Sequence, residues 1–122
     1  MRFMIFVRAT AESESESGPE PDDDGKLMAA MVDYHEQLSK AGVLLDASGL
    51  QPSAKGWRIR YAAGERRVID GPFAEAKEMI GGFFLVDCAS RDEAVAIAAE
   101  CPAAEWCTVE VRAVAPCYED AA

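Results

Sequence analysis

One side chain in this sequence titrates near neutral pH. His35 is the only histidine among 122 residues, and an imidazole changes charge between about pH 5 and 8. It lies in a segment where Leu27, Met31, Tyr34, Leu38 and Ala41 recur at steps of four and three, the pattern of a helix facing a core. Advancing ~100° per residue, from ~3.6 residues per turn, puts His35 about 80° from the centre of that stripe. The position is a boundary one, beside Met28 and next to Met31. The ring can lie on a sheet while one nitrogen reaches a cleft. A structural histidine and a proton-handling one both fit, and the structural kind is the commoner. Glu36 points away to solvent.

A second stretch, Asp70-Gly71-Pro72-Phe73, follows a strand directly. Asp before Gly-Pro suits a turn: the carboxylate can accept backbone N–H groups, Gly allows unusual dihedrals and Pro fixes φ. Phe73 is then placed to anchor the turn. Glu75, Lys77 and Glu78 come next, and Gly81-Gly82 would let the backbone pass close to a packed side chain or a ligand. Cys88, Cys101, Cys107 and Cys117 lack the paired spacing and the histidines of a zinc site, so no metal is expected. Cys101 falls on the apolar stripe of its helix, and reduced thiols are the default where no secretory signal is seen.

The elements that carry these residues follow from pattern. Phe3, Ile5 and Val7 alternate with Met4 and Phe6, a strand apolar on both faces. The first helix is expected to start near Asp23 or Asp24, either of which can cap it, and to stop at Gly42. Val43-Leu44-Leu45 opens a second strand. Trp57 to Tyr61 alternates with Arg58 and Arg60, and Ala63-Gly64-Glu65 turns it into a hairpin with Arg66–Asp70. Gly82 to Val86 is a core strand. Ser90-Arg91-Asp92-Glu93 is a capping box, with Ala94, Ile97, Ala98 and Cys101 as the stripe behind it. Thr108 to Ala113 alternates as a last strand. This order implies a single α+β domain over 1–122, with two helices on one face of an antiparallel sheet. The other face must meet water or a partner, and a second copy is the economical cover, so a homodimer is expected.

The net charge is −10, and seven of the 22 acids lie between Ala9 and Gly25, which has no Lys or Arg. Without that acidic loop the chain holds 15 acids against 12 bases, or −3. Its Glu-Ser repeats have nothing to bury. Nucleic acid and anionic membrane surfaces are poor partners for such a chain. No apolar run approaches the ~20 residues needed to span a bilayer. A cytoplasmic location is expected.

The stretch Asp70-Gly71-Pro72-Phe73-Ala74-Glu75-Ala76-Lys77-Glu78, continued by Gly81-Gly82-Phe83 and Ser90-Arg91-Asp92-Glu93-Ala94, resembles the DGPF proteins of the YCII-related family. Met1-Arg2-Phe3-Met4-Ile5, Tyr34-His35-Glu36, Ala41-Gly42-Val43-Leu44, Gly49-Leu50-Gln51-Pro52 and Thr108-Val109-Glu110-Val111-Arg112 fit as well. The Glu/Ser-rich loop departs from the family pattern, as do Glu105-Trp106 and Ala113, which stand where small residues and a Pro after Arg are typical. The resemblance implies a ferredoxin-like sheet that pairs into a dimeric α+β barrel. It also implies a cleft where a helix histidine and an aspartate meet as a catalytic dyad, here His35 and Asp70. The family has no firmly established common reaction, and no cofactor is expected for this chain.

Such a dyad has a clear chemistry. A carboxylate on one imidazole nitrogen fixes the tautomer and raises the basicity of the other, which can then move a proton at neutral pH. Lys77 or Arg58 would stabilise a developing anion, with Glu75 orienting Lys77 and Phe73 adding an apolar contact. That suits isomerase- or lyase-type chemistry on a small, partly apolar substrate. Hydride and phosphoryl transfer are excluded by the lack of a dinucleotide fingerprint and a phosphate loop. The rival expectation is a binding or accessory module, which holds a small molecule at the same cleft without turning it over.

Overall fold

Alternation in the first strand sets the architecture. In the computed structural model, which describes residues 1–9, 25–73 and 79–117, β1 (Arg2–Arg8) buries Phe3 and Ile5 on one side and leaves Met4 and Phe6 half-buried on the other. β1 is central. It pairs antiparallel with β5 (Ile80–Asp87) on one flank and β6 (Val109–Ala113) on the other. β2 (Leu44–Gly49) pairs antiparallel with the far side of β5, so the strand order is β2-β5-β1-β6. Two βαβ halves, β1-α1-β2 and β5-α2-β6, interleave to make this ferredoxin-like sheet.

Helices α1 (Lys26–Lys40) and α2 (Arg91–Ala99) pack on the same face. The core between them and the sheet holds Phe3, Ile5, Phe84 and Val86 against Tyr34, Ala94, Ala98 and Cys101. The expected stripe on α1 is realised: Leu27, Met31 and Leu38 are half-buried and Tyr34 buried, although Ala41 at its end is exposed. Tyr34 ties the two helices together, because its hydroxyl donates to the Ile97 carbonyl of α2. Burial, then the charges of Cys101 and Glu100, push the Tyr34 phenol well above its usual range. The Ser90 half of the capping box forms, with Ser90 Oγ accepting from Glu93 N at 3.2 Å, while Glu93 Oε2 accepts from the N–H of Ala89, one residue before the cap, at 3.0 Å.

The start of α1 corrects an expectation. Gly25, in a left-handed conformation at φ 66°, is its N-cap, and no acid lies in the first turn. Asp23 and Asp24 lie outside the described residues, as do most of the acidic loop and the Glu75 and Lys77 positions.

The β3 (Trp57–Ala62) and β4 (Glu65–Asp70) strands form a separate two-stranded ribbon between β2 and β5. Its turn places Ala63 at φ 53° and Gly64 at φ 79°, the double positive φ that matches a tight turn to strand twist. Direct pairing of Trp57 with Asp70, Ile59 with Val68 and Tyr61 with Arg66 puts these six side chains on one side of the ribbon. Arg58, Arg60 and Arg67 project from the other.

Candidate functional site

His35 projects from α1 onto the sheet. Its ring meets Phe84 edge-on, with centroids 4.9 Å apart and planes at 68°, and lies 5.4 Å from the Tyr34 ring. The Tyr34 and Phe84 rings are themselves edge-on at 5.8 Å. Thus three rings form a cluster under the middle of α1. The residue is half-buried, and its Nε2 is fully buried with no hydrogen-bond partner. Desolvation alone lowers the His35 pKa below its usual 6.5, so the ring is neutral at pH 7. The side chain is not sealed beneath Met28, which is 69% exposed.

A buried nitrogen without a partner costs about 1–3 kcal/mol. Most such atoms in folded proteins are paired, so an exception asks what completes it. Here the neutral ring has one N–H and one lone pair to offer, set among apolar rings.

The DGPF turn is built differently from its sequence expectation. Asp70 ends β4 and is exposed. Among the described residues its carboxylate accepts no backbone N–H. Ser53, in the 3-10 turn Ser53–Lys55, does that work: its Oγ accepts from the Phe73 N–H at 3.2 Å. The Gly71 N–H donates to the Gly56 carbonyl at 3.0 Å. Gly71 is required for close approach rather than for an unusual φ, since a Cβ there would sit 1.7 Å from the Ser53 carbonyl oxygen. The Gly71–Pro72 peptide is cis. Gly82 has a similar reason, with a Cβ position 3.0 Å from the Ser48 carbonyl oxygen of β2.

Phe73 is half-buried, and the Arg58 guanidinium lies over its ring at 3.9 Å from the centroid. Such a stack holds the guanidinium plane in place. The structure therefore brings Arg58 and Phe73 together. It does not hydrogen-bond Asp70 to His35. Asp70 shares one side of the ribbon with Trp57, and Arg58 lies on the opposite side. Ser53, Tyr34 and Phe84 are the participants that sequence reasoning missed. No motif marks Ser53, while the ring cluster depends on how α1 crosses the sheet.

Among the described residues no cluster of three His, Cys, Asp or Glu side chains could hold a metal ion, and no helix there is long and apolar enough to cross a membrane.

Comparisons with known proteins agree with this architecture. An uncharacterized protein of Rhizobium meliloti (strain 1021), R00369, is 40% identical over 74 residues, which is 61% of this chain and 60% of that protein. The chain thus matches under two thirds of that relative's length. A solved structure of 5-chloro-2-hydroxyhydroquinone dehydrochlorinase (TftG) from Burkholderia phenoliruptrix AC1100, in complex with 2,5-dihydroxybenzoquinone, is 16% identical. It superposes with a TM-score of 0.53 over 94% of each chain, which shows a shared fold. The model of the YCII-related domain matches residues 1–117, and the chain belongs to that family.

Proposed function

We propose that this YCII-related domain binds a small, partly apolar molecule at His35. The observation that carries the reading is the buried, unpartnered Nε2 within the Tyr34–Phe84 ring cluster. Rings supply apolar surface, and one neutral imidazole supplies the polar contact, the usual make-up of a small-molecule site. Arg58, stacked on Phe73, is the cationic contact for an acidic group on the ligand, and Glu75 and Lys77, outside the described residues, are proposed as ligand contacts from the sequence alone.

The test is calorimetric titration with small phenols and hydroxyquinones, 2,5-dihydroxybenzoquinone among them, against the wild type and His35→Phe. The expected result is saturable binding that weakens at least about tenfold in a variant that remains folded, the loss of ~1.4 kcal/mol expected for one polar contact. Equal binding by both proteins would refute the assignment.

A second reading is catalytic, and the neutral state of His35 favours it: an unprotonated imidazole is ready to accept a proton. Under it Asp70 pairs with His35 as a general acid–base dyad when the ligand is bound, and the reaction is of isomerase or lyase type. The shared fold of TftG, a dehydrochlorinase, supports this reading only by analogy.

We also infer that two copies pair through the sheet face opposite the helices, as a dimeric α+β barrel. That face carries Met4, Phe6, Phe83 and Leu85 side by side. An apolar sheet face of this kind is stabilised by a second layer. The free thiols of Cys88, Cys101, Cys107 and Cys117 fit a reducing, cytoplasmic setting.

A further inference from the structure

The ribbon β3–β4 leaves its apolar side unused. Trp57, Ile59 and Tyr61 are each 69% exposed and Val68 is 63% exposed, all on the same side. An isolated two-stranded ribbon is marginally stable at best. A contiguous exposed patch of aromatic and branched residues marks an interaction surface. Its two charges are ordered: Asp70 sits at the base beside Trp57, and Arg66 near the tip beside Tyr61.

The sheet face opposite the helices presents a matching row. Read across the strands, Asp46 of β2, Leu85 of β5, Met4 of β1 and Arg112 of β6 are direct neighbours on that face. The order is anion, apolar, apolar, cation, and the Arg112 Nε also donates to Glu110 Oε2 at 2.6 Å on the same face. Three strand spacings of ~4.8 Å separate Asp46 from Arg112, about 14 Å. On the ribbon, Asp70 and Arg66 are four residues apart at ~3.3 Å each, about 13 Å, with Val68 between them. The two rows match in length and are opposite in sign when the ribbon lies across the strands.

We propose that the ribbon of one copy lies across the open sheet face of a second copy, with Arg66 over Asp46 and Asp70 over Arg112. By two-fold symmetry each copy gives a ribbon and receives one. Trp57, Ile59 and Val68 then bury against Met4 and Leu85, and Phe6 and Phe83 remain for the direct sheet-to-sheet contact. The proposal rests on the self-association inferred above and adds the element that clasps it. It also places Asp70 on the partner's open face, away from His35 and Phe84, so the clasp and the His35–Asp70 dyad of the catalytic reading are alternatives.

The experiment is sedimentation equilibrium of the full chain, with circular dichroism to check folding. Wild type is compared with Trp57→Glu, Arg66→Asp, Asp46→Arg, the Arg66→Asp/Asp46→Arg pair, and Phe83→Glu. Trp57, Arg66 and Asp46 are exposed within one chain, so these variants keep the fold. Trp57→Glu and each single charge reversal should weaken self-association about tenfold or more, and the paired reversal should recover most of it. If Phe83→Glu dissociates the dimer while Trp57→Glu and Arg66→Asp leave it intact, the clasp is wrong and the sheet pairing stands. A wild type that is monomeric throughout overturns both. Failure of the paired reversal to recover association overturns the Arg66–Asp46 contact.

Discussion

His35 and Phe84 meet edge to face, 4.9 Å between centroids, and this contact fixes the depth of the imidazole on the sheet. Phe84 is almost wholly buried at the centre of β5. The imidazole is therefore mounted on the buried core of the sheet. Its Nε2 is held away from water without a partner.

The pH dependence of stability follows. Burial lowers the folded pKa of His35, so the unfolded chain binds the proton more readily. The contribution of the neutral ring is complete above the unfolded value near 6.5 and is lost as pH falls through the folded value. Melting temperature should drop on acidification below about pH 6.5, and the slope should vanish in His35→Phe. Glu110 acts in a separate, lower window. Arg112 and then Arg8 hold its carboxyl below 4.5, so its contribution is present above that value and disappears as pH falls through the folded pKa. Thermal melts from about pH 2 to 8 distinguish the two.

Tyr34→Phe removes the hydroxyl that joins α1 to α2. The Ile97 carbonyl is left without this donor, and the cost should be about 1–3 kcal/mol in urea unfolding. The His35–Phe84 contact should survive, so ligand binding should change less than stability does.

Gly71→Ala forces a Cβ against the Ser53 backbone oxygen. The strand end or the 3-10 turn must shift, at a cost of about 1–3 kcal/mol. Ser53→Ala should cost about 1 kcal/mol through the lost acceptor for the Phe73 N–H. Measured by chemical denaturation, the glycine substitution should be the more damaging of the two.

Ser90→Ala removes the cap of α2 and should cost about 1 kcal/mol, read as a fall in urea midpoint with unchanged slope.

Much of the fold was legible because periodicity constrains it directly. The steps of Leu27, Met31, Tyr34 and Leu38 admit one buried face on α1. Ala63-Gly64 can turn a ribbon because glycine tolerates positive φ. Ser90 and Glu93 stand at reciprocal capping positions. Other features depend on contacts distant in the chain. The helix start at Gly25 was hidden by Asp23 and Asp24, which have better capping chemistry but lie two residues and one residue too early. Asp70 has the right side chain for a turn acceptor, yet Ser53, 20 residues from Phe73, fills that role. The angle of His35 on its helix was readable, but its depth was not: that is set by Phe84 on a strand 49 residues away.

The account turns on His35 Nε2 as the polar contact for a bound molecule, and nuclear magnetic resonance of the imidazole tests this most directly. With one histidine in the chain, its ring nitrogens give a single assignable set of signals. During titration with the phenol and hydroxyquinone panel, the account predicts a saturable shift of the Nε2 signal, with the same midpoint as binding measured by calorimetry. Saturable binding that leaves the Nε2 signal in place would contradict it.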